Sequence, residues 1–164
     1  MKVVLLIGKA GAGKDESYKC IKELYPTAER YAFADRLKTF AYEMGWDGRK
    51  DERGRKLLQG IGQTVRAYKE GFWALKVAKA IEHDMPNIAV VTDCRFPNEI
   101  QIIKDYFRDV TTIRIIRDVS EMSDISEHAL DDYEPDFTIY NNGTVADLKR
   151  SLKEALDVRF SDKD

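Results

Sequence analysis

Hydrophobic and polar residues change their spacing several times along this chain, and each change marks an element. Residues 2–7 (KVVLLI) are a short apolar, β-branched run that predicts a buried strand. Over residues 14–24 the spacing becomes helical, with Tyr18, Ile21 and Leu24 on the inner side and Pro26 as the stop. Residues 29–34 (ERYAFA) alternate and predict a second strand, after which Asp35 opens a helix through Phe40 and Met44 that Gly45 ends. Residues 46–52 read as a loop. Residues 53–69 and 72–83 are helical in pattern, with Gly60 and Gly62 as weak points in the first.

Residues 87–93 (NIAVVTD) are the clearest interior strand, and Pro97 is a favourable first residue for a helix whose apolar side is Ile100, Ile103 and Phe107. Residues 110–116 (VTTIRII) form a further strand, with Arg117 at its carboxyl end. Loop with one helical turn is expected through Pro135, then a last strand over residues 137–140. Asn142-Gly143 makes a turn, and Thr144 with Asp147 three residues on caps a final helix with Val145, Leu148, Leu152 and Leu156 on its core side. Residues 159–164 are expected to fray.

Five strands separated by helices predict an α/β fold, three layers deep, with a parallel sheet covered on both faces. Ligands of such sheets bind at the carboxyl ends of the strands. That edge gathers Lys14, Asp35, Asp93, Arg95 and Arg117, which are far apart in sequence. The two helices between the second strand and residue 87 are too much for a simple crossover. They are expected to project as a substrate-binding subdomain, about residues 34–84, of one domain spanning residues 1–164.

Composition narrows the classes. At 164 residues, 43% hydrophobic and 34% charged, the chain suits one soluble domain, and no apolar run approaches a membrane span. The first apolar run is too short for a secretion signal and is read as structure. Cys20 and Cys94 lack metal-ligand spacing and suit a reducing cytoplasmic setting, and with only His83 and His128 a histidine-based metal centre is not expected. A net charge of −2 speaks against general nucleic-acid binding. Eight acidic residues and no Lys or Arg lie between Asp118 and Asp136, so small polyanions are better served by the first half, where Arg and Lys are frequent.

The first strand ends in Gly8, Gly11 and Gly13 with Lys14 directly after, and Gly8-x4-Gly13-Lys14 meets the phosphate-loop spacing up to its last position, where Asp15 replaces Ser or Thr. A loop wrapped round a polyanion aims successive backbone N–H groups inward, here those of Ala10, Gly11, Ala12, Gly13 and Lys14, and glycines tolerate the conformations this takes. Lys14 reaches the terminal phosphates, and the helix start adds its positive dipole end. Asp15 has two readings that stay open: a Mg²⁺ ligand, direct or through water, or a favourable acid in a helix first turn. Glu16 follows it, and the first hydroxyl comes only at Ser17. Base-recognition signals of GTPases are absent.

Gly13-Lys14-Asp15, Phe33-Ala34-Asp35-x-Leu37-Lys38, Leu58-Gln59-x-x-Gly62 with Arg66 and Trp73, Asp93-x-Arg95-Phe96-Pro97-Asn98-Glu99, Ser126-Glu127-x-x-Leu130 and Asn142-Gly143-Thr144 occur in this order over nearly the whole chain. Together they resemble the deoxynucleoside monophosphate kinases of bacteriophages, P-loop enzymes of adenylate-kinase-like type. The family usually continues its loop with Thr or Ser where Glu16 stands here. The resemblance implies a P-loop NTPase fold with an inserted acceptor-binding helical part, ATP and Mg²⁺ as cofactors, a deoxynucleoside monophosphate as acceptor, and room for a homodimer.

In that frame Gly8, Ala10, Gly11, Ala12, Gly13, Lys14, Asp15 and Glu16 hold ATP, Lys14 takes the β- and γ-phosphates, and Asp93, with Asp15, holds Mg²⁺, with a helix-capping or ion-pairing acid as the plainer alternative for Asp93. Arg95 clamps the acceptor phosphate bidentately, with a surface ion pair to Glu99 as the plainer alternative. Arg117, and secondarily Arg114, steady the transferring group beside a lid at about residues 117–130. Arg66 meets the acceptor phosphate, Asp35 and Lys38 line the acceptor pocket with Gln59 and Glu127, and Phe33 and Trp73 are base-stacking candidates that a core would equally explain. Two other classes stay open: a P-loop kinase for another small phosphorylated acceptor such as phosphomevalonate, and a nucleotide-binding regulatory protein without turnover.

Overall fold

A computed structural model describes residues 1–117 and 128–161. Five strands, β1 (Lys2–Ile7), β2 (Ala28–Tyr31), β3 (Ile88–Cys94), β4 (Val110–Ile116) and β5 (Phe137–Tyr140), form one sheet in the order β2-β3-β1-β4-β5. Every pairing is parallel. Six helices accompany them: α1 (Lys14–Leu24), α2 (Phe33–Glu43), α3 (Glu52–Tyr68), α4 (Phe72–Asp84), α5 (Pro97–Tyr106) and α6 (Val145–Ser161).

The strand period of two divides β1 between two cores. Val3, Leu5 and Ile7 point to one face, where Trp73, Val77 and Ile81 of α4 and Ile100 and Ile103 of α5 cover them. Val4 and Leu6 point to the other, under Cys20 and Ile21 of α1 and Leu148, Leu152 and Leu156 of α6. All five apolar residues of β1 are at most 1% exposed, as a central strand covered on both faces requires. The expected three-layer α/β/α sandwich is therefore the observed one. Among the described residues no helix is long and apolar enough to cross a membrane.

The structure differs from the sequence reading at four places. The second strand stops at Tyr31, and Phe33 and Ala34 open α2 instead of closing β2. The cause lies 60 residues away: the Asp93 carboxylate accepts the N–H groups of Phe33 and Ala34, each at 2.9 Å, and so supplies the anion that a helix N-terminus favours. α4 does not project; it lies in the layer over the sheet, and α3 alone stands off, burying only Gly54 and Gly62. Val145 is 55% exposed, because α6 turns Leu148, Leu152 and Leu156 inward and leaves its first residue outside. Finally α6 runs on through Ser161 where fraying was expected: Phe160 packs edge-on against Tyr25, centroids 5.4 Å apart, with Lys2 Nζ 4.0 Å above its ring.

At the carboxyl end of β3 the register with β1 shifts, Leu5 pairing with Val91 but Ile7 with Cys94. One extra residue is accommodated on β3 at Thr92–Asp93, a bulge at the edge where the functional residues collect.

Candidate active site

The glycine loop leaves β1 and enters α1 with Gly8, Gly11 and Gly13 all at positive φ, +147°, +77° and +100°. Space is as restrictive as φ at two of them. A Cβ on Gly8 would lie 2.3 Å from the Ile115 carbonyl oxygen, and one on Gly13 the same distance from Asn141 Nδ2. Asn141 clasps the loop from β5: its amide donates to the Ala12 carbonyl at 2.9 Å, and its own N–H to the Ile116 carbonyl at 2.7 Å. Lys14 folds back over the loop and donates to the Gly8 and Lys9 carbonyls at 2.6 and 2.9 Å. The Ser17 hydroxyl is fully buried and donates to the Gly13 carbonyl at 2.9 Å, so it is turned into the helix. Asp15 is exposed in the first turn of α1, and Glu16 pairs with Lys19 at 2.9 Å.

A cleft beside this loop is lined by Gly8, Lys9, Ala12, Arg95, Arg117 and Asp131, with Arg114 beneath. Arg114 and Arg117 differ in use. The Arg114 guanidinium donates to the carbonyls of Leu130 and Tyr133, both at 2.6 Å, and thereby fastens the returning chain to β4. Arg117 is exposed at the strand end and lines the cleft. His128 hydrogen-bonds Asp131 at 2.9 Å, which holds that carboxyl below the usual carboxylate range. Most of the lid expected at about residues 117–130, including Glu127, lies outside the described residues.

A second cleft opens between α2, α3, the start of α4 and the β3–α5 turn. It collects Phe33, Lys38, Gln59, Arg66, Trp73, Asp93 and Arg95, seven of the residues expected from the sequence. Asp35 is not among its lining residues. It pairs with Arg30 at 2.6 Å and Lys38 at 3.2 Å; burial pushes its carboxyl up, but these two cations outweigh that and hold it low. Phe33 and Trp73 floor the cleft as core residues, 4% and 2% exposed, and Trp73 packs edge-on against Phe40 and Phe72. The core alternative for these two aromatics is the one the packing displays.

Both acids of this cleft are engaged by the main chain. Burial pushes the Asp93 carboxyl up, against the opposing pull of the Ala34 and Phe33 N–H groups. Glu99 is pushed up by burial in the same way, and it binds the backbone N–H of Arg95 at 2.9 Å. Three cations, Lys38, Arg66 and Arg95, face the same space, so the cleft suits an anion. Arg95 lines both clefts.

Sequence reasoning missed Gln63, Asn141 and Lys9, and named Glu99 only within a motif and as an ion-pair partner of Arg95, whereas its carboxylate accepts the Arg95 backbone N–H. Gln63 stands one turn from Gln59 on α3, and Glu99 stands third in a helix led by Pro97; both spacings were readable. Nothing local marks Asn141, whose role depends on the distance between β5 and the loop.

Among the described residues no three His, Cys, Asp or Glu side chains converge as a metal centre. Mg²⁺ that arrives with a polyphosphate needs only one or two carboxylates besides phosphate and water. Asp15, exposed at the loop, and Asp93, whose oxygens each accept one N–H and keep further acceptor capacity, fit that requirement.

No family model matches the chain. It is 25% identical over 172 residues to an uncharacterised protein, ORF76, of Ictalurid herpesvirus 1 (strain Auburn), a match that takes in 98% of this chain and 69% of the viral protein. Over 53 residues it is 36% identical to the deoxynucleoside-5'-monophosphate kinase of Escherichia phage T5, which takes in 31% of this chain and 21% of the phage enzyme. Among solved structures it is similar to the APS kinase of Mycobacterium tuberculosis in complex with AMPPNP and APS, with a TM-score of 0.60 at 10% identity over 95% of this chain and 97% of that one. Shikimate kinase from Aquifex aeolicus superposes with a TM-score of 0.57 at 11% identity over 97% and 98% of the two chains. The fold is that of the P-loop kinases.

Proposed function

We propose that this protein is an ATP-dependent deoxynucleoside monophosphate kinase. The observation that carries the reading is Arg95, a guanidinium shared by the phosphate-loop cleft and the cationic cleft beside it. A transferase needs its two substrates to meet, and a residue common to both sites stands where the transferred group must pass. The partial likeness to the phage T5 enzyme supports this acceptor class.

The spacing along α3 supports a nucleotide over a smaller acceptor. Gln59, Gln63 and Arg66 lie on one stripe, and at the helical rise Arg66 and Gln59 are about 10 Å apart along the axis. That is the span from a phosphate to the edge of a base, with a cation at one end, an amide at the other and a second amide between them. Amides present both a donor and an acceptor and so suit bases of either kind.

In the reaction an oxygen of the acceptor phosphate attacks the γ-phosphorus of ATP, the bond from that phosphorus to the β–γ bridging oxygen breaks, and ADP leaves. Such transfer depends on positioning and charge neutralisation more than on a strong base. The loop N–H groups hold the phosphates, and Lys14 exchanges its bonds to the Gly8 and Lys9 carbonyls for the β- and γ-phosphates. Arg95 and Arg66 orient the acceptor phosphate, and Arg117 offsets charge on the transferring group. Mg²⁺, held by Asp15 and through water by Asp93, would neutralise phosphate charge.

The test is ADP release from ATP and Mg²⁺ against all common deoxynucleoside and ribonucleoside monophosphates, with phosphomevalonate as a base-free acceptor. Turnover confined to deoxynucleotides is the expected result. Turnover with phosphomevalonate alone would reassign the acceptor, and ATP binding without any turnover would overturn the enzyme reading in favour of a regulatory one.

A further inference from the structure

Glu99 is a buried charge that the transfer itself does not use. It is 4% exposed, and as the third residue of α5 its Oε2 accepts the N–H groups of both Arg95, at 2.9 Å, and Phe96, at 3.1 Å. A glutamate at the third position of a helix ordinarily reaches back to one N–H. Here it closes on two successive ones and forms part of the acceptor cleft wall. A glutamine would make the same two bonds without the cost of burying a charge. The bonds alone therefore do not account for a carboxylate.

What the carboxylate adds is charge, and the cation that shares the cleft wall with it from α3 is Arg66, whose guanidinium lies over the Phe96 ring. The Arg66 guanidinium carbon lies 5.0 Å from the centre of the Phe96 ring, and its Nε is buried with no hydrogen-bond partner. Phe96 is thus held by its N–H to Glu99 and by its ring beneath Arg66. The segment from Asp93 to Glu99 is anchored at both ends, by Asp93 to the start of α2 and by Glu99 to its own turn. Arg95 projects from the middle of it.

We propose that Glu99 is a positioning residue for the acceptor phosphate, fixing through two N–H bonds the turn that carries Arg95 and holding by its charge the guanidinium of Arg66 in the acceptor cleft. This rests on the reading of that cleft as a monophosphate site. Bonds from N–H groups to an ionised carboxylate are stronger than neutral ones, and Arg95 is an exposed, long side chain whose reach follows its backbone.

The test compares wild type, Glu99→Gln and Glu99→Ala by steady-state kinetics with varied deoxynucleoside monophosphate and ATP, by calorimetric binding of the same monophosphate, and by thermal unfolding. Glu99→Gln keeps the bonds and loses the charge. It is expected to raise the monophosphate KM and Kd about tenfold while kcat and the ATP KM stay within about twofold. Glu99→Ala also frees the turn and is expected to lower kcat by a further factor of about ten. Equal monophosphate KM and Kd in wild type and Glu99→Gln would overturn the proposal, as would losses that merely follow a lowered unfolding temperature. If Glu99→Gln weakens monophosphate binding while wild type transfers nothing, the positioning role stands and the kinase reading falls. Wild-type turnover that Glu99→Gln leaves untouched gives the reverse, and a wild type that binds no monophosphate overturns both.

Discussion

The two clefts at the carboxyl edge of the sheet are built on opposite principles. On its loop side the first cleft is made of main chain: glycines pressed against Ile115 and Asn141, N–H groups, and a lysine folded onto its own loop. The neighbouring cleft is made of side chains from α2, α3, α4 and the β3–α5 turn, and buried acids hold its walls by backbone N–H groups. In the proposed function, main chain fixed by steric contact serves the group that never varies, the polyphosphate, and side chains on a helix that buries little serve the acceptor.

Three substitutions and one condition test that contrast, beginning with the largest effect. In the proposed reaction Lys14→Ala removes the ammonium assigned to the β- and γ-phosphates; kcat should fall by about three orders of magnitude with every acceptor. Steady-state ADP release measures this, and a loss that depends on the acceptor would contradict a lysine that acts on the polyphosphate alone. Arg95→Ala should lower kcat/KM by about two orders of magnitude and affect both substrates. Arg66→Ala should raise the acceptor KM about tenfold and leave the ATP KM alone. Crossed titrations of the two substrates separate these cases.

The smallest effect is on stability against pH, and its sign differs from one acid to another. Just before the amino end of β5, outside both clefts, burial pushes Asp136 up, but the Thr112 N–H and hydroxyl outweigh that and hold it low. Its contribution is present above the ordinary carboxylate pKa of about 4 and is lost as pH falls through its lower folded value. Asp93 and Glu99 are raised, so the folded chain binds their protons more readily than the unfolded chain does. Their share of stability grows as pH falls from the raised value to the ordinary one. Denaturant unfolding from neutral pH to below the ordinary carboxylate value of about 4 should show Asp136→Asn costing most above that value and less below it. Glu99→Gln should be at least as stable as wild type at neutral pH and lose that advantage in acid. Parallel profiles for the two variants would contradict this.

The same contrast explains what was legible in the sequence. The phosphate loop is contiguous, so its glycines and Lys14 could be read directly, and β1, β3, β4 and β5 announce themselves by apolar, β-branched runs. Phe33 and Ala34 read as strand because alternation is a local signal, whereas Asp93, which makes them helix, is remote. Trp73 and Phe33 suggested stacking because aromatic identity carries no record of which face is buried. Asp35 looked like a cleft residue until Arg30 and Lys38 were seen to claim it. α4 was assigned to a projecting arm with α3, although its small apolar residues Ala74 and Ala78, both fully buried, allow it to lie close over the sheet.

A guanidinium that belongs to two neighbouring sites has a consequence for the order of events. Whatever factor an anion in one cleft imposes, through Arg95, on affinity in the other must be returned in equal measure when the filling is reversed, because the coupling is a property of the doubly occupied state. Two anions that share one cation compete for it, and two that are joined by a moving phosphoryl group need it together. In the proposed transfer Arg95 would therefore favour the state in which the charges of both ligands have begun to merge over the state in which they merely sit side by side.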